Sequence, residues 1–239
     1  ARLVDQAGID AVLVGDSLGN VMLGYDTTLP VTLDDMIHHA KAVRRGISKA
    51  LVVVDMPFMT YQTTVEKALE NAGRLMQEAQ VDAVKLEGGE PIAAVVRRLT
   101  EIGIPVMGHL GMTPQSVHQF GGYRVQGRKA SEADRLIADA LALQEAGAFA
   151  IVLEMIPAEL AERVTSSVDV PTIGIGAGRG CDGQVLVLQD LLGMYEDFKP
   201  RFVKRYAEVG RIIREAVQAY IREVQDGTFP GDEHSYTAE

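Results

Sequence analysis

Asp16, Asp55, Glu87, His109 and Glu154 each stand at or just past the end of a short apolar run, and Lys85 precedes Glu87 by two residues. A carboxylate in such a place is costly to bury unless it is paired or bound to a metal. Asp16, Asp55 and Glu87 offer oxygen donors, while the chain has one cysteine, Cys181, and no His-rich cluster. That set points to a hard divalent cation, Mg²⁺ first, which takes oxygen ligands and keeps positions for water and substrate. The alternative for each acid is a helix cap or a salt bridge. Strand alternation puts Lys85 and Glu87 on one face. There Lys85 can hold a substrate oxygen by charge, or simply pair with Glu87. Flanking carboxylates keep it charged and make it a poor Schiff-base nucleophile.

Glu154, if largely desolvated, has the raised pKa that suits a general base. Its alternative is capping or pairing at the helix that begins near Pro157. His109, within Gly108-His-Leu-Gly111, can donate to a substrate oxygen or be a structural imidazole. Gly174-Ile-Gly-Ala-Gly178 can cradle a phosphate with backbone N–H groups or merely allow a tight turn. His38 and His39 are adjacent on a helix and do not share a face, so they form no metal pair.

The elements that must position these residues are short β-rich runs alternating with amphipathic helical stretches. The runs are 11–15, 51–55, 83–87, 104–108, 150–154, 171–175 and 185–188, rich in Val, Ile and Leu. Nearly continuous apolar runs of this length fit a parallel sheet covered on both faces. Helices are expected over 64–78, 91–102, 131–146 and 158–167, with Ser131 as a start signal and Gly103 and Gly147 as exits. Polar residues recur at the run ends, and only a barrel gathers all such ends around one mouth. No Gly-x-Gly-x-x-Gly follows the first run, which counts against a dinucleotide-binding sheet. The expected fold is therefore a (β/α)8 TIM barrel in one domain, 1–239, with a C-terminal helix over about 201–224 and a loop-like tail over 225–239. Seven strands are visible, and the chain opens at Ala1 in what reads as the end of a helix. The eighth strand is expected upstream, in about 20–30 further residues.

Composition excludes several classes. The 239 residues carry a net charge of −10 with no basic block, so nucleic acid is a poor partner. No stretch approaches the ~18 uninterrupted apolar residues of a membrane span. A lone cysteine excludes a disulfide framework. The N-terminus lacks a signal-peptide pattern, and a cytoplasmic location is expected.

Several strings resemble one family, in the family's order. They are Val14-Gly-Asp-Ser-Leu-Gly19, Thr28-Leu-Pro-Val-Thr32, Asp55-Met-Pro-Phe58, Lys85-Leu-Glu-Gly-Gly89, Gly108-His-Leu-Gly-Met-Thr-Pro-Gln115, Gly122-Tyr-Arg-Val-Gln-Gly-Arg128 and Ile173-Gly-Ile-Gly-Ala-Gly178. The tail Gly227-Thr-Phe-Pro-Gly231 with His234-Ser235 fits as well. The sequence is similar to the ketopantoate hydroxymethyltransferases, Mg²⁺-dependent barrels of the phosphoenolpyruvate mutase/isocitrate lyase type. The resemblance implies transfer of the one-carbon unit of 5,10-methylenetetrahydrofolate to 3-methyl-2-oxobutanoate through a Mg²⁺-stabilised enolate, giving 2-dehydropantoate and tetrahydrofolate for pantothenate biosynthesis. It implies Asp16 and Asp55 as metal ligands and Glu87 as a third acid, direct or through water. Asp16, Ser17, Asp55, Lys85 and His109 are implied as substrate contacts and Glu154 as the general base. It also implies a large homo-oligomer, a decamer in many members. Family members carry a Thr-Ala-Tyr-Asp-like strand before the opening helix, which this sequence lacks. A lyase or mutase of the same superfamily, or a phosphate-binding barrel with merely structural acids, is the rival reading.

Overall fold

The computed structural model describes residues 1–195 and 199–238. By its internal contacts the chain, read above as one domain, divides into two compact units, Ala1–Val185 and Leu186–Glu239.

In the first unit, β1 (Ala11–Val14), β2 (Leu51–Asp55), β3 (Ala83–Glu87), β4 (Val106–Gly111), β5 (Ala150–Glu154), β6 (Thr172–Ile175) and β7 (Gly183–Gln184) form one sheet in that order. Every neighbouring pair is parallel. Sequential parallel strands with intervening helices are the winding of a (β/α)8 barrel, as expected. A doubly wound sheet would reverse its order at a switch point.

Alternation then sorts the side chains. Val53, Ala83, Met107, Ala150 and Val152 form a small buried cluster on one face. Two residues further along the same strands, on that face, come Asp55, Lys85, His109 and Glu154, with Glu87 two beyond Lys85. Register brings them together, pairing Asp55 with Lys85, Glu87 with His109, and Gly111 with Glu154. The opposite face carries Val52, Val54, Val84, Leu86, Val106, Ile151 and Leu153 into the larger core shared with the helices.

The helix Leu33–Arg44 starts in a capping box, with Asp35 N donating to Thr32 Oγ1 at 3.1 Å and Thr32 N to Asp35 Oδ2 at 2.9 Å. The helix Val65–Ala79 is capped by Thr64 and buries Ala68, Ala72, Leu75 and Ala79, one helical stripe. The helix Ala158–Ser167 matches its expected span, and Gly103 and Gly147 follow helix ends at φ +89° and +95°. Asp5, near the chain start, accepts from Ser48 N, Ser48 Oγ, Lys49 N and Ala50 N. That cluster ties the opening helix Arg2–Gln6 to the lead-in of β2.

In the first unit four expectations need correction. The helix expected from Ser131 is Ala130–Glu145 and starts at Lys129, whose N–H meets Glu132 Oε2 at 3.4 Å, so Ser131 lies inside it. The stretch 91–102 begins as a 3₁₀ turn, Glu90–Ile92, before the helix Ala93–Glu101. β4 begins at Val106, because Pro105 has no N–H to give the ladder, and runs on to Gly111, so His109 is a strand residue. β7 lies at Gly183–Gln184 rather than 185–188: its register pairs Gly183 with Ile173 and Gln184 with Gly174, Val185 N still donates to Gly174 O at 3.0 Å, and β6 ends at Ile175 before Gly176 turns at φ +65°.

In the second unit the terminal helix is Val209–Asp226, not 201–224. The N–H groups of Tyr206 and Val209 donate to Leu191 and Leu192 carbonyls, so the preceding segment is held as a loop against the short helix Leu188–Leu191. The tail after Asp226 contains one 3₁₀ turn, Asp232–His234; Glu239 lies outside the described residues.

Candidate active site

The strand ends of β2 to β5, with the turn after β1, build one charged cluster. Asp16, Asp55, Lys85, Glu87 and His109 are all buried. Gly15 lets β1 turn here: a Cβ on it would stand 3.0 Å from Ser17 Oγ and 3.4 Å from Asp55 Oδ2. Asp16 N donates to Asp55 Oδ2 at 3.0 Å, and half-buried Ser17 follows at the head of the short helix Leu18–Val21. Lys85 Nζ lies 2.9 Å from Asp55 Oδ1, across the strand pair rather than on Glu87. It also lies 3.1 Å from His109 Nδ1. His109 Nδ1 is 3.5 Å from Glu87 Oε1, and His109 Nε2 is 3.1 Å from Glu154 Oε2.

The electrostatics follow from burial and crowding. Burial first, then the charges of Asp55 and Glu87, hold the Asp16 carboxyl well above the usual carboxylate range. Burial opposes the charge on Lys85, but Asp55, Glu87 and Asp16 outweigh it and the net shift is upward. Burial and Lys85 push the His109 pKa down, while Glu154 and Glu87 pull it up to about 9. The 3.1 Å approach of Lys85 Nζ to Nδ1 works against that rise, since an ammonium donates only to an unprotonated nitrogen. We take the ring as neutral beside charged Lys85, its one proton on Nε2 facing Glu154.

Glu154 does not cap the helix Ala158–Ser167, whose first position is set by Pro157 without a side-chain cap. Its side chain keeps 15% exposure, against 5% for Asp55 and 4% for Glu87. Among these three it is the acid nearest to solvent, and a ligand can reach it.

The residues fit a hard cation. Asp55 Oδ1 and Glu87 Oε1 are buried oxygens with no well-aligned hydrogen-bond donor, despite the short ionic contacts. Asp16 adds a third carboxylate, so oxygen donors of the kind a hard cation takes predominate. Among the described residues no three His, Cys, Asp or Glu side chains stand in a ready metal cage. An ion here would be held by one or two carboxylates and complete its shell with water and substrate oxygens, as Mg²⁺ does.

Sequence reasoning gave no role to Gln115 and overlooked Tyr61. Gln115 N donates to Glu87 Oε2 at 2.9 Å, and its Nε2 donates to Asp16 Oδ2 at 2.8 Å. The Tyr61 hydroxyl lies 2.9 Å from Gln115 Oε1 and accepts from Glu87 N at 3.0 Å. Tyr61 sits in an irregular segment and Gln115 in the short 3₁₀ turn Pro114–Ser116, neither long enough to show a periodicity that would reveal an inward side chain. The only signal was Gln115's place at the end of the Gly108–Gln115 string. Gly174–Gly178, by contrast, is closed by its own neighbours. Gln184 Nε2 donates to Gly178 O at 2.9 Å, and a Cβ on Gly174 would meet Gln184 and Cys181 at about 3 Å. This is the tight-turn alternative.

Residues 1–232 match the family model described as ketopantoate hydroxymethyltransferase. The chain belongs to the ketopantoate hydroxymethyltransferase family. A relative from Chloroflexus aurantiacus is 62% identical over 235 residues, covering 98% of this chain and 83% of its own. One from Prosthecochloris aestuarii is 58% identical over 240 residues, covering 99% and 87%. Both bear the name 3-methyl-2-oxobutanoate hydroxymethyltransferase. The fold is shared more widely. A phosphonopyruvate hydrolase superposes with TM-score 0.61 at 13% identity, covering 100% of this chain and 83% of its own. An oxaloacetate acetylhydrolase gives 0.52 at 14% identity, covering 72% and 61%. As a member of this transferase family the chain is an enzyme, and its charged cluster lies at the strand ends where barrel enzymes place their chemistry.

Proposed function

We propose that this site deprotonates 3-methyl-2-oxobutanoate at C3 and joins that carbon to the one-carbon unit of 5,10-methylenetetrahydrofolate. The products are 2-dehydropantoate and tetrahydrofolate, a step of pantothenate biosynthesis. The observation that carries the reading is the pairing of Glu154, the acid with solvent access, with a buried cluster able to hold a 2-oxo acid's oxygens.

Glu154 takes the C3 proton. Lys85 would stabilise by its charge the negative charge that gathers on the keto oxygen, and His109 would add a donor through the Nε2 proton that otherwise faces Glu154. Ser17 adds a hydroxyl beside Asp16. Water takes the one-carbon unit off the folate at the formaldehyde level, both carbon–nitrogen bonds of the bridge breaking and water's two protons going to the two nitrogens. C3 attacks that carbon, and the resulting alkoxide takes the proton held by Glu154. Asp16 and Asp55 would hold Mg²⁺, with Glu87 as a third acid, directly or through water. When bound, the ion acts as a Lewis acid toward the keto and carboxylate oxygens.

A cleft of about 700 Å³ opens beside Met155, next to Glu154, and is lined by Phe120, Tyr123, Arg124, Arg128 and Lys129. Its aromatic rings and cations suit an anionic aromatic donor arriving from that side. Among the described residues no helix is long and apolar enough to cross a membrane, which agrees with the cytoplasmic location we propose. A large homo-oligomer, carried from the resemblance, completes the reading. The test is tetrahydrofolate formation from 3-methyl-2-oxobutanoate with and without EDTA. Formation that EDTA abolishes and Mg²⁺ restores is expected; none under either condition rejects the reading.

A further inference from the structure

We propose that Gln115 is a positioning residue that aims the carboxylates of Asp16 and Glu87 at the cation. The proposal rests on the Mg²⁺ reading above and deepens it.

Gln115 is 7% exposed, and all its side-chain hydrogen-bonding directions are used. Nε2 donates to Asp16 Oδ2 at 2.8 Å and to Met56 O at 3.0 Å. Oε1 accepts from Gln62 Nε2 at 2.9 Å and faces the Tyr61 hydroxyl at 2.9 Å. An amide has two N–H donors and two acceptor lone pairs, so the group is saturated. The set also fixes its sense. A flipped amide would turn Oε1 onto the Asp16 carboxylate and the Met56 carbonyl, and Nε2 onto the Gln62 donor.

The backbone of the same residue completes the device, because Gln115 N donates to Glu87 Oε2 at 2.9 Å. One residue thus takes one oxygen from each of two carboxylates that lie on different strands or turns. On Glu87 the remaining oxygen, Oε1, has no hydrogen-bond partner. Occupying one oxygen fixes the rotation of the carboxyl group and leaves the other for a cation. Tyr61 supports this from behind. Its hydroxyl accepts from Glu87 N at 3.0 Å, so its single proton is free for Gln115 Oε1 or the Glu87 carbonyl. Groups that orient metal ligands in this way are worth about 10–100-fold in metal affinity.

The experiment is calorimetric Mg²⁺ titration of the whole chain as wild type, Gln115→Leu, Tyr61→Phe and Asp55→Ala, each with its thermal midpoint. Gln115→Leu keeps the volume and removes the amide, and a weakening of about 10–100-fold is expected. Tyr61→Phe keeps the ring and removes the hydroxyl that accepts from Glu87 N and donates its one proton, and about fivefold weakening is expected. Asp55→Ala should abolish binding. Unchanged Mg²⁺ affinity in Gln115→Leu, with a lowered thermal midpoint and Asp55→Ala unable to bind, would make Gln115 merely structural and overturn the proposal. If Gln115→Leu fails to fold, Tyr61→Phe decides in the same way. Unchanged binding in Asp55→Ala removes the cation reading itself and this inference with it.

Discussion

Glu154→Gln replaces a base with a neutral group of the same shape, and the site's geometry sets what that costs. The amide of Gln can keep the 3.1 Å contact of Glu154 Oε2 with His109 Nε2, which is not aligned as a hydrogen bond, so the neighbours have no reason to move. The other acids of the cluster each have an oxygen engaged. Asp55 accepts from Asp16 N and pairs with Lys85, while Glu87 accepts from Gln115 N and Asp16 from Gln115 Nε2. A positioned general base contributes about 10²–10⁴ in rate. Each factor of ten is about 1.36 kcal/mol, so the barrier to C3 proton removal should rise by about 3–5 kcal/mol. The assay is NMR of 3-methyl-2-oxobutanoate with Mg²⁺ in D₂O, following loss of the C3 proton signal without the folate. Substrate affinity should hold while exchange slows by at least about a hundredfold. Exchange at the wild-type rate would refute Glu154 as the base.

Three further outcomes follow from named contacts. Lys85→Met removes the cation paired with buried Asp55 at 2.9 Å and should cost about 3–5 kcal/mol in urea denaturation; an unchanged midpoint counts against the pair as a structural element. Gly111→Ala places a Cβ 2.2 Å from the Glu154 carbonyl at φ +94° and should cost at least about 1–3 kcal/mol while slowing C3 exchange, because Glu154 must shift; full stability and exchange would show that the turn has room. Asp5 is held well below the usual carboxylate range by hydrogen bonds from Ser48 and Ala50. A depressed native pKa gives stability that is present above the unfolded value of about 3.9 and lost as pH falls below it. Asp5→Asn should therefore flatten the acid limb of a thermal-midpoint profile; a limb as steep as wild type would show that other carboxylates set it.

The strand runs, the helices and the acids at the strand ends were legible because they obey local rules. Period-two alternation fixes which face Asp55, Lys85, Glu87, His109 and Glu154 share, and a parallel ladder carries them to one end. Boundaries were less legible where the decisive partner is distant. β7 is short because its partner β6 ends at Ile175, just before the turn at Gly176, and the terminal helix begins only at Val209, where the N–H groups of Tyr206 and Val209 donate to the Leu191 and Leu192 carbonyls. The partners within the site were not local at all. Lys85 pairs with Asp55 on the next strand, not with Glu87 on its own. Gln115 joins Asp16 from 99 residues away. The sequence by itself determined the barrel winding and which charged groups lie at its mouth, since both follow from spacing along single elements. Only the tertiary structure decided which groups pair, which carboxylate oxygens are left for a cation, and that a glutamine and a tyrosine hold them. Burial leaves no water to satisfy those groups, so each must find its partner wherever the packed chain brings one.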